Sequence, residues 1–102
     1  MTTAEDIVMT TRILASDKVV GCEIDGEIVL LHLDTGTYFG LNPVGAEIWN
    51  FVRDERSFEE IRDHLLSLYN VTPARCESEV KALVGKLASQ GLVAIHNHEV
   101  SQ

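Results

Sequence analysis

The sequence predicts an α+β domain in which a three-stranded antiparallel sheet precedes three helices. Two observations carry that reading. From Val19 to Leu41 the apolar residues come in short β-rich runs, separated by Asp25-Gly26 and by Asp34-Thr35-Gly36, the punctuation of tight hairpins. After Asn42 the apolar spacing changes to three and four residues, and three helix-start signatures appear in turn. At 102 residues the chain suits one domain with a modest core.

Residues 1–17 hold two apolar patches, Ile7-Val8-Met9 and Ile13-Leu14, and are expected to form a loosely held arm or a short extra strand. Val19–Ile24 reads as the first strand of the sheet. Asp25-Gly26 suits a type I′ turn, whose two central positions both need positive φ. Glu27–Leu33 is apolar on both faces, with Val29, Leu31 and Leu33 on one and Ile28 and Leu30 on the other. That pattern predicts a central strand covered on both sides. Thr37–Leu41 is the third strand, at the edge of the meander.

The first helix opens with Asn42 as N-cap and Pro43 at the first helical position, where a missing N–H costs nothing. Its apolar stripe is Val44, Ile48, Phe51 and Val52. Ser57 and Glu60 make a capping box for the second helix, whose core side is Phe58, Ile61, Leu65 and Leu68. Thr72 and Pro73 start the third, which runs through Cys76, Val80, Leu83, Val84 and Leu87 to a stop at Gly91. Leu92–Ile95 is expected as a short terminal strand, and residues 96–102 as a tail. The helical half is thus a winged-helix-like unit.

Composition narrows the function. The chain carries 8 Lys+Arg against 16 Asp+Glu, a net charge of −8. Such a field repels phosphate backbones. A winged-helix nucleic-acid-binding or transcription-regulatory module is the alternative reading of the helical half. It needs a basic row on the recognition helix, whereas these helices carry Glu59, Glu60, Asp63, Glu77 and Glu79. No apolar run approaches the ~20 residues of a membrane helix, and the first residues lack a secretory pattern, so a cytoplasmic location is expected. Cys22 and Cys76 are too sparse for a disulfide scaffold and read as small core residues.

Catalytic chemistry finds little support. His96 and His98 can share a strand face, but no further ligands stand at a fixed offset, and no metal site is expected. His32 reads as a half-buried strand residue and His64 as a solvated helix residue. Cys22 and His32 have nothing to orient them as a nucleophile pair. No phosphate-binding, dinucleotide or hydrolase motif is present. Neither enzymatic activity nor a cofactor is expected.

The third strand points elsewhere. Thr37–Leu41 has no Lys, Pro or charge, the devices that blunt exposed sheet edges. A helix packed across the sheet beside that edge makes a groove into which an extended peptide can add as a strand. Backbone pairing alone roughly breaks even: ordering costs ~1–2 kcal/mol per residue and each hydrogen bond returns ~0.5–1.5. Net affinity requires apolar pockets, each buried Leu- or Phe-sized side chain adding ~1.5–3 kcal/mol.

The run from Val29 to Asn42, VLLHLDTGTYFGLN, followed by GAEIW from Gly45 to Trp49, resembles the PqqD-like family. Within it the chain is most similar to the stand-alone leader-binding proteins of lasso-peptide biosynthesis. Leu65–Tyr69, Glu79–Leu83 and Leu87–Val93 agree with that pattern, so the resemblance spans residues 18–95. It implies a recognition element for ribosomally synthesised, modified peptides, three strands and three helices that capture the leader of a precursor. The implied edge strand is Thr37, Tyr38, Phe39, Gly40 and Leu41. The implied helix wall is Val80, Lys81, Val84 and Leu87. The implied partners are the precursor leader and a maturation enzyme, either a leader peptidase and cyclase or a radical-SAM enzyme.

Overall fold

The computed structural model describes residues 7–97. Its elements in chain order are β1 (Arg12–Ala15), β2 (Val19–Ile24), β3 (Glu27–His32), β4 (Tyr38–Leu41), α1 (Pro43–Phe51), β5 (Arg56–Ser57), α2 (Phe58–Leu68), α3 (Pro73–Ser89) and β6 (Val93–His96). The fold is α+β, with the expected antiparallel meander β2-β3-β4 and three helices. A second antiparallel sheet, in the order β5-β1-β6, is added to it.

The meander follows from its turns. Asp25 and Gly26 have φ of 54° and 83°, as a type I′ turn requires. Its register sets Leu30 opposite both Gly21 and Phe39. Gly21 permits a close approach: a Cβ there would lie 3.2 Å from Trp49 Nε1. Leu30 is fully buried, and Leu41 and Trp49 nearly so. They join Ile48, Val52, Phe58, Ile61, Val80, Val84 and Leu87 in one continuous core.

All three helices are capped as the sequence predicts. The Asn42 side chain accepts from Gly45 N–H at 2.7 Å. Ser57 Oγ accepts from Glu60 N–H at 3.0 Å, while Glu60 Oε1 accepts from Ser57 N–H at 2.8 Å. Thr72 Oγ1 accepts from Arg75 N–H.

Five expectations need correction or completion. The N-terminal segment takes the extra-strand form: Ile7 and Ile13 are core residues, and β1 pairs with β6 along its whole length. Thr11, fully buried, ties this region together by accepting from Val8 N–H and donating to Asn97 Oδ1. The central strand β3 is covered on one face only, because the chain leaves β4 toward the Leu30 side and α1 packs there. Cys22 therefore lies exposed on the open face, while Cys76 is buried as expected. Leu68 is exposed at the end of α2. His64 is half-buried, stacked on Phe51 at 4.3 Å and 3.3 Å from Glu47 Oε1, where a solvated side chain was expected. His98 and the rest of the tail after Asn97 lie outside the described residues.

Candidate peptide-binding groove

Among the described residues β4 pairs only with β3, so its other edge is open. The pairing decides which peptide groups face that edge. His32 N–H donates to Thr37 O at 2.9 Å, which makes His32 and Thr37 a hydrogen-bonded pair. Antiparallel ladders alternate, so in this register Leu30–Phe39 and Ile28–Leu41 are also hydrogen-bonded pairs. The N–H and C=O of Tyr38 and Gly40 therefore point outward. The side chains alternate oppositely: Phe39 and Leu41 turn toward the core, while Tyr38 is 68% exposed.

Helix α3 runs beside this edge. Lys86 Nζ sits 5.5 Å from the centre of the Phe39 ring, and Gly91, just past the helix, approaches His32. Beyond the end of β4, a space of about 340 Å³ lies between the start of α1, at Asn42 and Val44, and Glu79, Ala82, Leu83 and Lys86 of α3. At Val44 and Glu79 it joins a mostly apolar cavity of about 120 Å³, which Ile48, Leu65, Tyr69, Val71, Cys76 and Val80 also line. A cavity of that size holds a Leu- or aromatic-sized side chain; an engineered apolar cavity of ~150 Å³ binds benzene.

The expected wall residues of α3 take different places. Val84 and Leu87 are fully buried inside the core, whereas Val80, 2% exposed, also lines the smaller cavity. Lys81 extends to the opposite flank, its ammonium 5.9 Å from the centre of the Phe58 ring. The fronting positions are Glu79, Leu83 and Lys86, spaced four and three residues apart on one side of the helix. Their signal is the border of the apolar stripe: Leu83 is the stripe residue flanked at helical spacing by charged side chains. The innermost stripe packs on the sheet, so a groove is lined by the stripe's margin.

The electrostatics do not suit a polyanion. Arg12, Arg56, Arg62 and Arg75 are each within 4 Å of a carboxylate, and Lys81 and Lys86 lie over aromatic rings. The guanidinium of Arg62 is pushed to a still higher pKa by its hydrogen bonds to Glu77 and Asp63. Among the described residues no group of three or more His, Cys, Asp or Glu side chains is arranged to hold a metal ion, and no helix is long and apolar enough to cross a membrane.

Comparison with known proteins agrees with this architecture. Residues 27–93 match the family described as coenzyme PQQ synthesis protein D, PqqD. Among solved structures, TbiB1 in complex with the TbiA(beta) leader peptide is 38% identical, with a TM-score of 0.73 over 85% of this chain and 99% of that one. Lasso peptide synthetase B1 complexed with the leader peptide is 27% identical, with a TM-score of 0.72 over 80% of this chain and 96% of that one. No curated protein gives a significant sequence match. The family match extends from β3 into β6, taking in the edge strand and the helix beside it, and the chain belongs to the PqqD family.

Proposed function

We propose that this chain is a non-catalytic adaptor that captures the leader of a ribosomally synthesised precursor, of lasso-peptide type, and presents it to maturation enzymes. The observation that carries the proposal is the open edge of β4 beside an apolar groove, in a chain 38% identical over 85% of its length to a protein solved with a leader peptide. The leader adds antiparallel to β4, taking hydrogen bonds from Tyr38 and Gly40. It sends alternate side chains between Phe39 and Leu41 on one wall and Leu83 and Lys86 on the other. Val84 and Leu87 hold the helix in place from behind, Val80 lines the cavity beyond Val44, and Thr37 opens the strand. The recognition element spans residues 18–95, with β1 strapped to its end by β6.

The enzymes it serves are a leader peptidase and a cyclase, and its compartment is the cytoplasm, in keeping with two free cysteines. The net charge of −8 disfavours a strongly acidic leader. Titration of a fluorescein-labelled cognate leader, followed by anisotropy, tests the reading. Micromolar or tighter binding without turnover is expected. Failure to bind that leader, together with binding of duplex DNA at physiological salt, would overturn it in favour of the nucleic-acid alternative.

A further inference from the structure

The meander has a second open edge, at β2, which among the described residues pairs only with β3. Strand β3 turns the peptide groups of Ile28, Leu30 and His32 toward β4, so those of Val29 and Leu31 serve β2. Their partners across the register are Cys22 and Val20. The N–H and C=O of Gly21 and Glu23 therefore point outward. Beside them is a space of about 340 Å³, bounded by Gly21, Cys22 and Glu23 of β2, Ile28 of β3, and Trp49, Asn50 and Arg53 at the end of α1.

Two independent features say what this space takes. Trp49 is 4% exposed, yet its indole N–H donates to no described residue and opens onto the space. A buried donor without a protein partner calls for an acceptor. The second feature is charge. Of the eight Lys and Arg residues, four pair with carboxylates and two lie over aromatic rings. The remaining two, Lys18 and Arg53, have no such partner among the described residues, and both stand beside β2. Arg53 follows Trp49 by four residues and so shares its side of the helix end. On a chain of net charge −8 this edge is the cationic exception. Glu23, toward the hairpin, confines the favourable field to the Gly21 end.

We propose that the β2 edge binds an extended peptide segment carrying a glutamate, whose carboxylate accepts hydrogen bonds from Trp49 Nε1–H and Arg53. Strand pairing places that glutamate opposite Gly21. In an antiparallel pair the residue there exchanges both backbone hydrogen bonds with Gly21, and its side chain lies on the same face, the one that α1 covers. Gly21 has no side chain to occupy the room. A Cβ at Gly21 would lie 3.2 Å from Trp49 Nε1, and a cross-strand Cβ stands ~5 Å further along the sheet, a gap that suits glutamate better than the shorter aspartate. The site is independent of the leader-binding reading: the groove at β4 selects apolar side chains, and this edge selects a carboxylate.

Trp49 is the only tryptophan of the chain, so its fluorescence reports on this site directly. The probe is the doubly blocked hexapeptide acetyl-Thr-Val-Glu-Val-Thr-Val-amide, with the Gln-for-Glu peptide as its neutral counterpart. Both are titrated at low salt, to millimolar concentration, into the full chain and its Arg53→Gln and Glu23→Gln variants, with and without saturating leader. Both substitutions fall on exposed positions, and thermal melts confirm that the variants keep the parent's midpoint. The expected result is a saturable change in Trp49 emission, with the Gln peptide binding about fivefold more weakly. Arg53→Gln should abolish that preference, Glu23→Gln should tighten binding of the Glu peptide, and leader should leave its affinity unchanged. Equal affinity for the two peptides would overturn the proposal, as would an unaltered preference in Arg53→Gln or no change in Trp49 emission. So would competition by leader, which would put the probe in the groove at β4.

Discussion

Replacing Val84 by alanine and, separately, Leu83 by alanine compares two neighbouring positions on α3 with opposite jobs. Val84 is fully buried. Deleting two methyl groups there forfeits about 1.6 kcal/mol of transfer free energy at ~0.8 per group. The cavity left behind adds to that loss, giving roughly 2–3 kcal/mol in all. For a domain of this size the thermal midpoint should fall by roughly 10–20 °C. A marginal stability of ~5–15 kcal/mol still leaves the variant folded at low temperature, where its leader affinity should match the parent's.

Leu83 is half-buried at the groove wall. Its remaining exposed surface is covered only when a peptide arrives, about half of the ~1.5–3 kcal/mol that full burial of a leucine brings. Leu83→Ala should weaken leader binding by about threefold to tenfold and move the midpoint much less than Val84→Ala. Calorimetric melts and anisotropy titrations on the same samples separate the effects. The assignment of these two faces is refuted by the reverse pattern, lost affinity at 84 with a normal melt and unchanged affinity at 83.

Three further outcomes are expected. On adding leader at a hundred times its Kd, the amides of Tyr38 and Gly40 should gain roughly a hundredfold protection from exchange, while Phe39 and Leu41, already paired to β3, change little; uniform protection along β4 would contradict the register. The carboxyl of Glu60 is held below its usual range chiefly by the backbone N–H of Ser57. Because the folded-state pKa is depressed, the stabilisation is present above the ordinary carboxylate range and lost as pH falls below it, through the lower folded-state pKa. Glu60→Gln should therefore flatten the acid limb of the melting profile, and an unchanged limb would assign it to other groups. Iodoacetamide should label exposed Cys22 in the native protein and spare Cys76, which is buried and whose thiol burial pushes up; equal labelling would mean that α3 opens readily.

The meander, its turns and the three capped helices were legible because each is set by local chemistry. Asp25-Gly26 determines a turn by backbone geometry alone, and Ser57 with Glu60 closes a helix end within four residues. What escaped depends on distant pairings. The two residues of β5 carry no pattern beyond the capping box that overlaps them, and they become a strand only because Ile13 opposes Arg56. The double apolar face of β3 suggested cover on both sides, but alternation along a strand does not say how many layers the rest of the chain can supply. The edge strand was visible in its lack of charge. The outer part of the groove face of α3 was not, because Val84 and Leu87 belong to the innermost stripe, which packs in the core, while Glu79, Leu83 and Lys86 stand at its margin.

The alternation along β4 also bounds how the groove can select its peptide. Only Tyr38 and Gly40 present free peptide groups, so a strand added there makes about four hydrogen bonds to the edge, worth ~2–6 kcal/mol in total. Ordering the four or five residues that make them costs roughly 4–10 kcal/mol. Backbone pairing is therefore insufficient, and a generic β-prone segment, or the edge of a second copy repelled by net −8, gains nothing by docking. The deficit must be met by side chains entering the space beside Leu83 and Lys86 and the cavity beyond Val44. An uncharged edge can thus stay open without inviting aggregation. It is too short to hold a strand by its backbone, and it becomes a binding site only for a peptide whose apolar side chains fit the groove.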